Sequence, residues 1–186
     1  MKLSSKFVAF ALATAAISAQ AFPIAAPGTE GLSVITSHAG EVVATYLGNS
    51  AAMSNDLYLE LNGVFIFNNH SSPVGSTFNL GEFAAGTELV FRLHVNDANV
   101  DYYTGPGSRN PDGEAHARVE SDYLVPGTTL VSFEDLFNGP FVYNDLSFSF
   151  TNTMAEETPT VPEPGSLALL ALGLAGVAAM RKRKAN

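Results

Sequence analysis

The sequence predicts an all-β protein. The expected fold is a single antiparallel β-sandwich, jelly-roll-like, flanked by an N-terminal signal peptide and a C-terminal hydrophobic helix. Three observations predict it. Hydrophobic residues across the middle of the 186-residue chain recur with period 2, as in strands with one buried and one wet face. Clusters of Gly, Pro, Asn and Ser recur between these stretches, as turns require. The ends are apolar and basic, whereas residues 22–157 hold three Arg, no Lys and 17 acidic residues, a balance of −14 against −9 for the whole chain.

Residues 1–21 read as a secretory signal peptide. Lys2 and Lys6 give the positive start, and residues 7–17 are apolar. Ala19-Gln20-Ala21 supplies the small-x-small pattern, which places cleavage between Ala21 and Phe22. The apolar stretch is short for a membrane span.

Residues 22–153 are long enough for one domain. Residues 31–37 and 41–47 are the first two candidate strands. Leu57, Leu59 and Leu61 then alternate with Tyr58 and Glu60. Asn62-Gly63 separates them from residues 64–67 and predicts a two-residue type I′ hairpin, which needs φ > 0 at both positions. Leu89, Phe91, Leu93 and Val95 alternate with Val90, Arg92 and His94; Ala115, Ala117 and Val119 alternate with His116, Arg118 and Glu120. Residues 130–133, and Leu146, Phe148 and Phe150, complete about eight strands. That number in a domain of this size predicts a two-sheet sandwich, with a small barrel as the alternative. Residues 101–113 read as the longest loop, and long loops are often functional.

Residues 154–160 are rich in Thr, Glu and Pro and read as an extended linker. In residues 161–184, Pro162-Glu163-Pro164 precedes an uncharged apolar run, residues 167–180, and then Arg181, Lys182, Arg183 and Lys184. Fourteen apolar residues fall short of the roughly 20 needed to cross a bilayer, but counting from Pro162 and letting the basic end snorkel gives a marginal span. The basic cluster stops transfer and stays cytoplasmic, so the remainder would lie outside. The signal peptide demands the same topology. Pro162 and Pro164 hold Glu163 extended, which suits a segment that must enter an enzyme cleft.

These parts, in this order, resemble the PEP-CTERM sorting signal of Gram-negative bacteria that secrete exopolysaccharide. The resemblance implies recognition by exosortase, a membrane-embedded cysteine transpeptidase-like enzyme, with loss of the tail. The precursor would be anchored in the inner membrane and its product would reach the cell surface or extracellular matrix. Residues 104–113, followed by Ala115-His116-Ala117, resemble a segment of small PEP-CTERM proteins. Phe133-Glu134-Asp135-Leu136 and Tyr143-Asn144-Asp145-Leu146 resemble a block in an extracellular β-domain family that carries no assigned activity. The interval here, residues 137–142, lacks the acidic residues that family places in its turn. That resemblance implies a β-sandwich.

The body's charge excludes non-specific nucleic-acid binding, which needs a cationic surface. The absence of Cys removes disulfides, thiol catalysis and thiolate metal sites. No Gly-x-Ser-x-Gly elbow occurs, and His38, His70, His94 and His116 lack metal-ligand spacing. No enzymatic activity is expected. Three site readings remain. Glu134, Asp135, Asn144 and Asp145 are candidate calcium ligands, since Ca²⁺ takes carboxylate, amide and carbonyl oxygens; the competing reading is that they cap turns. No other cofactor is expected. Tyr102, Tyr103, Arg109, Asn110, Asp112 and His116 form a candidate binding loop, with the two Tyr as stacking platforms for a saccharide in a chain without Trp. Arg92 and His94 would join His116 and Arg118 in one patch if their strands were neighbours. The expected protein is an exported, exosortase-sorted, non-enzymatic component of the cell envelope or exopolysaccharide matrix. A calcium-dependent glycan-binding or adhesion module is the alternative, and a carbohydrate-active enzyme comes third.

Overall fold

The computed structural model describes residues 22–156. The expected signal peptide with Ala19 and Ala21, the sorting motif, the expected hydrophobic helix and the basic cluster lie outside the described residues. Eleven strands and one short 3-10 turn make up the described chain: β1 (Ser33–Thr36), β2 (Gly40–Gly48), β3 (Asn55–Leu59), β4 (Val64–Asn68), β5 (Thr77–Phe83), β6 (Phe91–Val95), β7 (Val100–Tyr103), β8 (Ala117–Glu120), β9 (Thr128–Phe133), β10 (Leu146–Thr151) and β11 (Thr153–Glu156), with the turn at Gly107–Arg109. All pairings between strands are antiparallel. A five-stranded sheet, β5-β2-β10-β9-β8, faces a four-stranded sheet, β4-β3-β6-β7. The pair β1-β11 forms a third small sheet, and β1 also bonds to residues 87–89 ahead of β6.

Alternation explains the packing. On β6, Phe91, Leu93 and Val95 are fully buried while Arg92 and His94 face outward. On β3, Asn55, Leu57 and Leu59 point the same way. From the opposite sheet, Ala44 and Tyr46 of β2 and Phe148 and Phe150 of β10 meet them in one core. Phe91 stacks on Phe150 with centroids 4.0 Å apart, and Phe67 on Phe148 at 6.0 Å. Burying each such side chain contributes about 1.5–3 kcal/mol. β9 is buried on both faces because residues near the start of the described chain cross its outer side: the Ala25 amide donates to Ser132 Oγ at 2.9 Å. Phe22 packs over Gly48, where a Cβ would lie 2.8 Å from the Phe22 Cβ.

Several local expectations are corrected. Asn62-Gly63 does close a hairpin, but its loop is residues 60–63, with Leu59 opposite Val64. Gly63 has φ +66° while Asn62 is not left-handed; instead Asn62 Oδ1 accepts from the Val64 amide at 3.1 Å. Leu61 therefore leaves the strand and is exposed. Residues 154–156, read as the start of a linker, belong to β11. Asn152, at φ +54°, bends the chain out of β10; the Thr153 hydroxyl lies 2.8 Å from that of Thr129, tying β11 to β9, while its backbone pairs with β1. Residues 101–113 are not one loop. They hold most of β7 and the 3-10 turn.

Candidate functional site

At one end of the sandwich, residues 134–145 connect β9 to β10 and bring three carboxylates together. Glu134, Asp135 and Asp145 are all buried, and a ligand oxygen of each lies within 4.8 Å of those of the others. The loop is folded around them. Glu134 Oε2 accepts from the amides of Val142 at 2.9 Å and Tyr143 at 3.2 Å. Asp145 Oδ2 accepts from the Asp135 amide at 2.8 Å. These bonds hold left-handed turns at Asn138, Gly139 and Tyr143, with φ of +58°, +73° and +56°. Such a conformation is costly for a Tyr and persists only when its surroundings fix it. Here the Tyr143 hydroxyl donates to the Ala115 carbonyl at 2.8 Å, and the Arg118 guanidinium lies 4.3 Å over its ring. The turn-capping reading of these acids thus holds for Glu134 and Asp145.

The opposite sheet closes the site. Asn55, at the end of β3, donates from Nδ2 to Asp135 Oδ2 at 2.7 Å. Tyr102 of β7 stacks on His116 with centroids 3.6 Å apart. His116 Nδ1 lies 2.8 Å from the Glu134 carbonyl and Nε2 lies 2.9 Å from Asp112 Oδ2. Both ring nitrogens thus face oxygens of neighbouring groups. A groove of about 470 Å³, lined by Met53, Val100, Tyr102, Asp135 and Phe137 among others, leads to the cluster.

The electrostatics of the cluster are those of like charges out of water. Burial pushes Asp145 up to about 8, with the neighbouring charges of Asp135 and Glu134 adding to the rise. Burial also raises Asp135. Burial lifts the Tyr102 phenol to about 12, helped by Asp112, Asp135 and Glu134. Asp112 goes the other way. Bonds from the Asn138 amide and His116 outweigh its burial and hold it below the usual carboxylate range.

The structure separates the remaining predicted residues. Tyr102 and His116 are fully buried and Asn110 nearly so, so they are not a solvent-facing binding loop. Asn110 serves the backbone, accepting from the Tyr103 amide at 2.8 Å and donating to the Glu114 carbonyl at 2.7 Å. Arg109 grips Glu88 with its two terminal guanidinium nitrogens at 2.8 and 3.1 Å. Asn144 is tied through its carbonyl to Ser50. The Arg92–His94 and His116–Arg118 groups do not form one patch, because β6 and β8 lie in different sheets. Sequence reasoning did not find Asn55. It sits on the inward register of β3 with Leu57 and Leu59, and a polar residue at the end of a buried stripe is the only signal it offers.

No curated protein and no solved structure matches the chain. A family model described as the PEP-CTERM protein-sorting motif matches residues 160–184. This span contains Pro162-Glu163-Pro164, the apolar run and the basic cluster, so the chain carries a PEP-CTERM sorting motif, a signal that implies export and processing by exosortase.

Proposed function

We propose that this protein serves outside the cell as a structural or adhesive component of the envelope or exopolysaccharide matrix, without catalysis. Exosortase would remove the tail from an inner-membrane-anchored precursor and leave the β-sandwich at the surface. The observation that carries the reading is the sorting motif, which follows directly on a single sandwich. The state of the polar groups supports it. His116 is enclosed between Asp112 and the Glu134 carbonyl, and Arg92, Arg109 and Arg118 are each paired with a carboxylate. Groups held this way brace a fold; acid–base catalysis needs them within reach of a substrate.

Dose separates a structural part from an enzyme. Cells lacking the protein are given purified processed protein over a range of amounts, and matrix cohesion is measured. A structural role predicts recovery in proportion to the protein retained in the matrix, reaching full recovery at the wild-type amount. Full recovery from a trace amount would overturn it.

A further inference from the structure

Three carboxylates buried side by side need a positive partner, and the described chain has none free to give. Residues 22–157 contain three Arg and no Lys. Arg92 is held by Glu60 and Asp101, Arg109 by Glu88, and Arg118 by Glu30. His94 faces Asp101, and His116 spends both nitrogens on Asp112 and the Glu134 carbonyl. No ion pair among the described residues includes Glu134, Asp135 or Asp145. Charges left in this state are strongly unfavourable unless something balances them.

A second observation is independent of the acids. Among the described residues, two buried side-chain polar atoms lack any hydrogen-bond partner: Asn55 Oδ1 and the Tyr102 hydroxyl. Both residues are 0% exposed. Buried polar atoms are rarely left idle, and an unmatched one points to a missing partner. Both border the acid cluster. Asn55 Oδ1 is carried on the same amide whose Nδ2 bonds Asp135, and Tyr102 lines the groove alongside Asp135.

We propose that this is a calcium site, in which Glu134, Asp135 and Asp145 give carboxylate oxygens, Asn55 gives its amide oxygen, and the Tyr102 hydroxyl with waters from the groove completes the shell. The donor set is all oxygen, which suits a hard cation; zinc and the later transition metals favour nitrogen and sulfur. Oxygens on opposite sides of a Ca²⁺ lie about 4.6–5.2 Å apart, twice the bond of about 2.3–2.6 Å, and the cluster's spread fits within that. Mg²⁺ needs a tighter octahedron and keeps more of its water. Without the cation, protons take its place, as the raised Asp135 and Asp145 indicate. Calcium would tie β9, β10, β3 and β7 together at one end of the sandwich. Its abundance there rests on the export reading; the binding does not.

The test uses processed protein purified from the producing bacterium, stripped with EDTA and dialysed. Its melting temperature is measured in EDTA, in millimolar CaCl₂ and in millimolar MgCl₂. Calcium is expected to raise the midpoint saturably, by on the order of 5 °C, with a smaller effect of magnesium. Asp145→Asn keeps the acceptor for the Asp135 amide, so this variant is expected to fold and to lose the calcium shift. Tyr102→Phe keeps the stack on His116 and is expected to weaken calcium binding several-fold. An unchanged midpoint in CaCl₂ would overturn the proposal, as would a full calcium shift in both variants. Either result leaves the sorting and matrix reading standing.

Discussion

The outer face of the four-stranded sheet and the loop between β9 and β10 manage charge in opposite ways. On the sheet, Arg92 of β6 is held by Glu60, just past β3, and by Asp101 of β7, which also bonds His94, with contacts of 2.7–2.9 Å. Burial pulls Asp101 up, but bonds from His94 and Arg92 outweigh it and hold the carboxyl below its ordinary range. In the loop three acids meet without an ion-pair partner among the described residues, and burial pushes Asp135 and Asp145 up. The difference is one of supply. The body has three arginines, and all are spent on partly exposed pairs while its most buried acids go without. Like charges kept in a core imply a balancing group from elsewhere.

The comparison is broken most severely by Glu134→Ala. It removes the acceptor for two backbone amides and is expected to cost about 3 kcal/mol in urea unfolding, even after relief of repulsion. Next comes pH. Raised carboxyls bind more protons in the folded state, so the penalty they impose begins above the unfolded value near ~4 and is complete above about 8 for Asp145. Metal-free protein should therefore gain stability as pH falls from about 8 toward ~5. Asp101, Asp112, Glu30 and Glu88 are shifted down and act oppositely, contributing stability that is lost as pH falls below ~4. A monotonic rise in stability from acid to alkaline pH without metal would contradict the contrast. Asp145→Asn should stabilise the metal-free protein by on the order of 1 kcal/mol, whereas Asp101→Asn should weaken it. The smallest effect is expected of Arg92→Ala. Its partners are partly exposed, so the loss should stay under about 1 kcal/mol and shrink with added salt.

Much of the fold was legible because central strands alternate strictly. Leu89 to Val95 and Leu146 to Phe150 show their inward and outward faces in the sequence. The strands that escaped notice are β5, β7 and β11. β5 and β7 are edge strands, and β5 buries only Leu80, so neither shows a stripe. β11 falls in a polar segment and is defined by its pairing with β1. At the site, Glu134, Asp135 and Asp145 were visible as acids flanking one turn. Asn55 and the burial of Tyr102 were not, since they arrive from another sheet and, for Asn55, from 80 residues away. Gly105, Pro106 and Gly107 made Tyr102 look like part of a loop, whereas it lies within an edge strand.

The central claim is that the working protein is the sandwich freed of its tail. Intact-mass spectrometry of the protein recovered from the cell surface and matrix tests this most directly. The predicted result is a C-terminus between Glu156 and Leu167, with residues 167–186 gone. Surface protein that still carries Arg181, Lys182, Arg183 and Lys184 would contradict it.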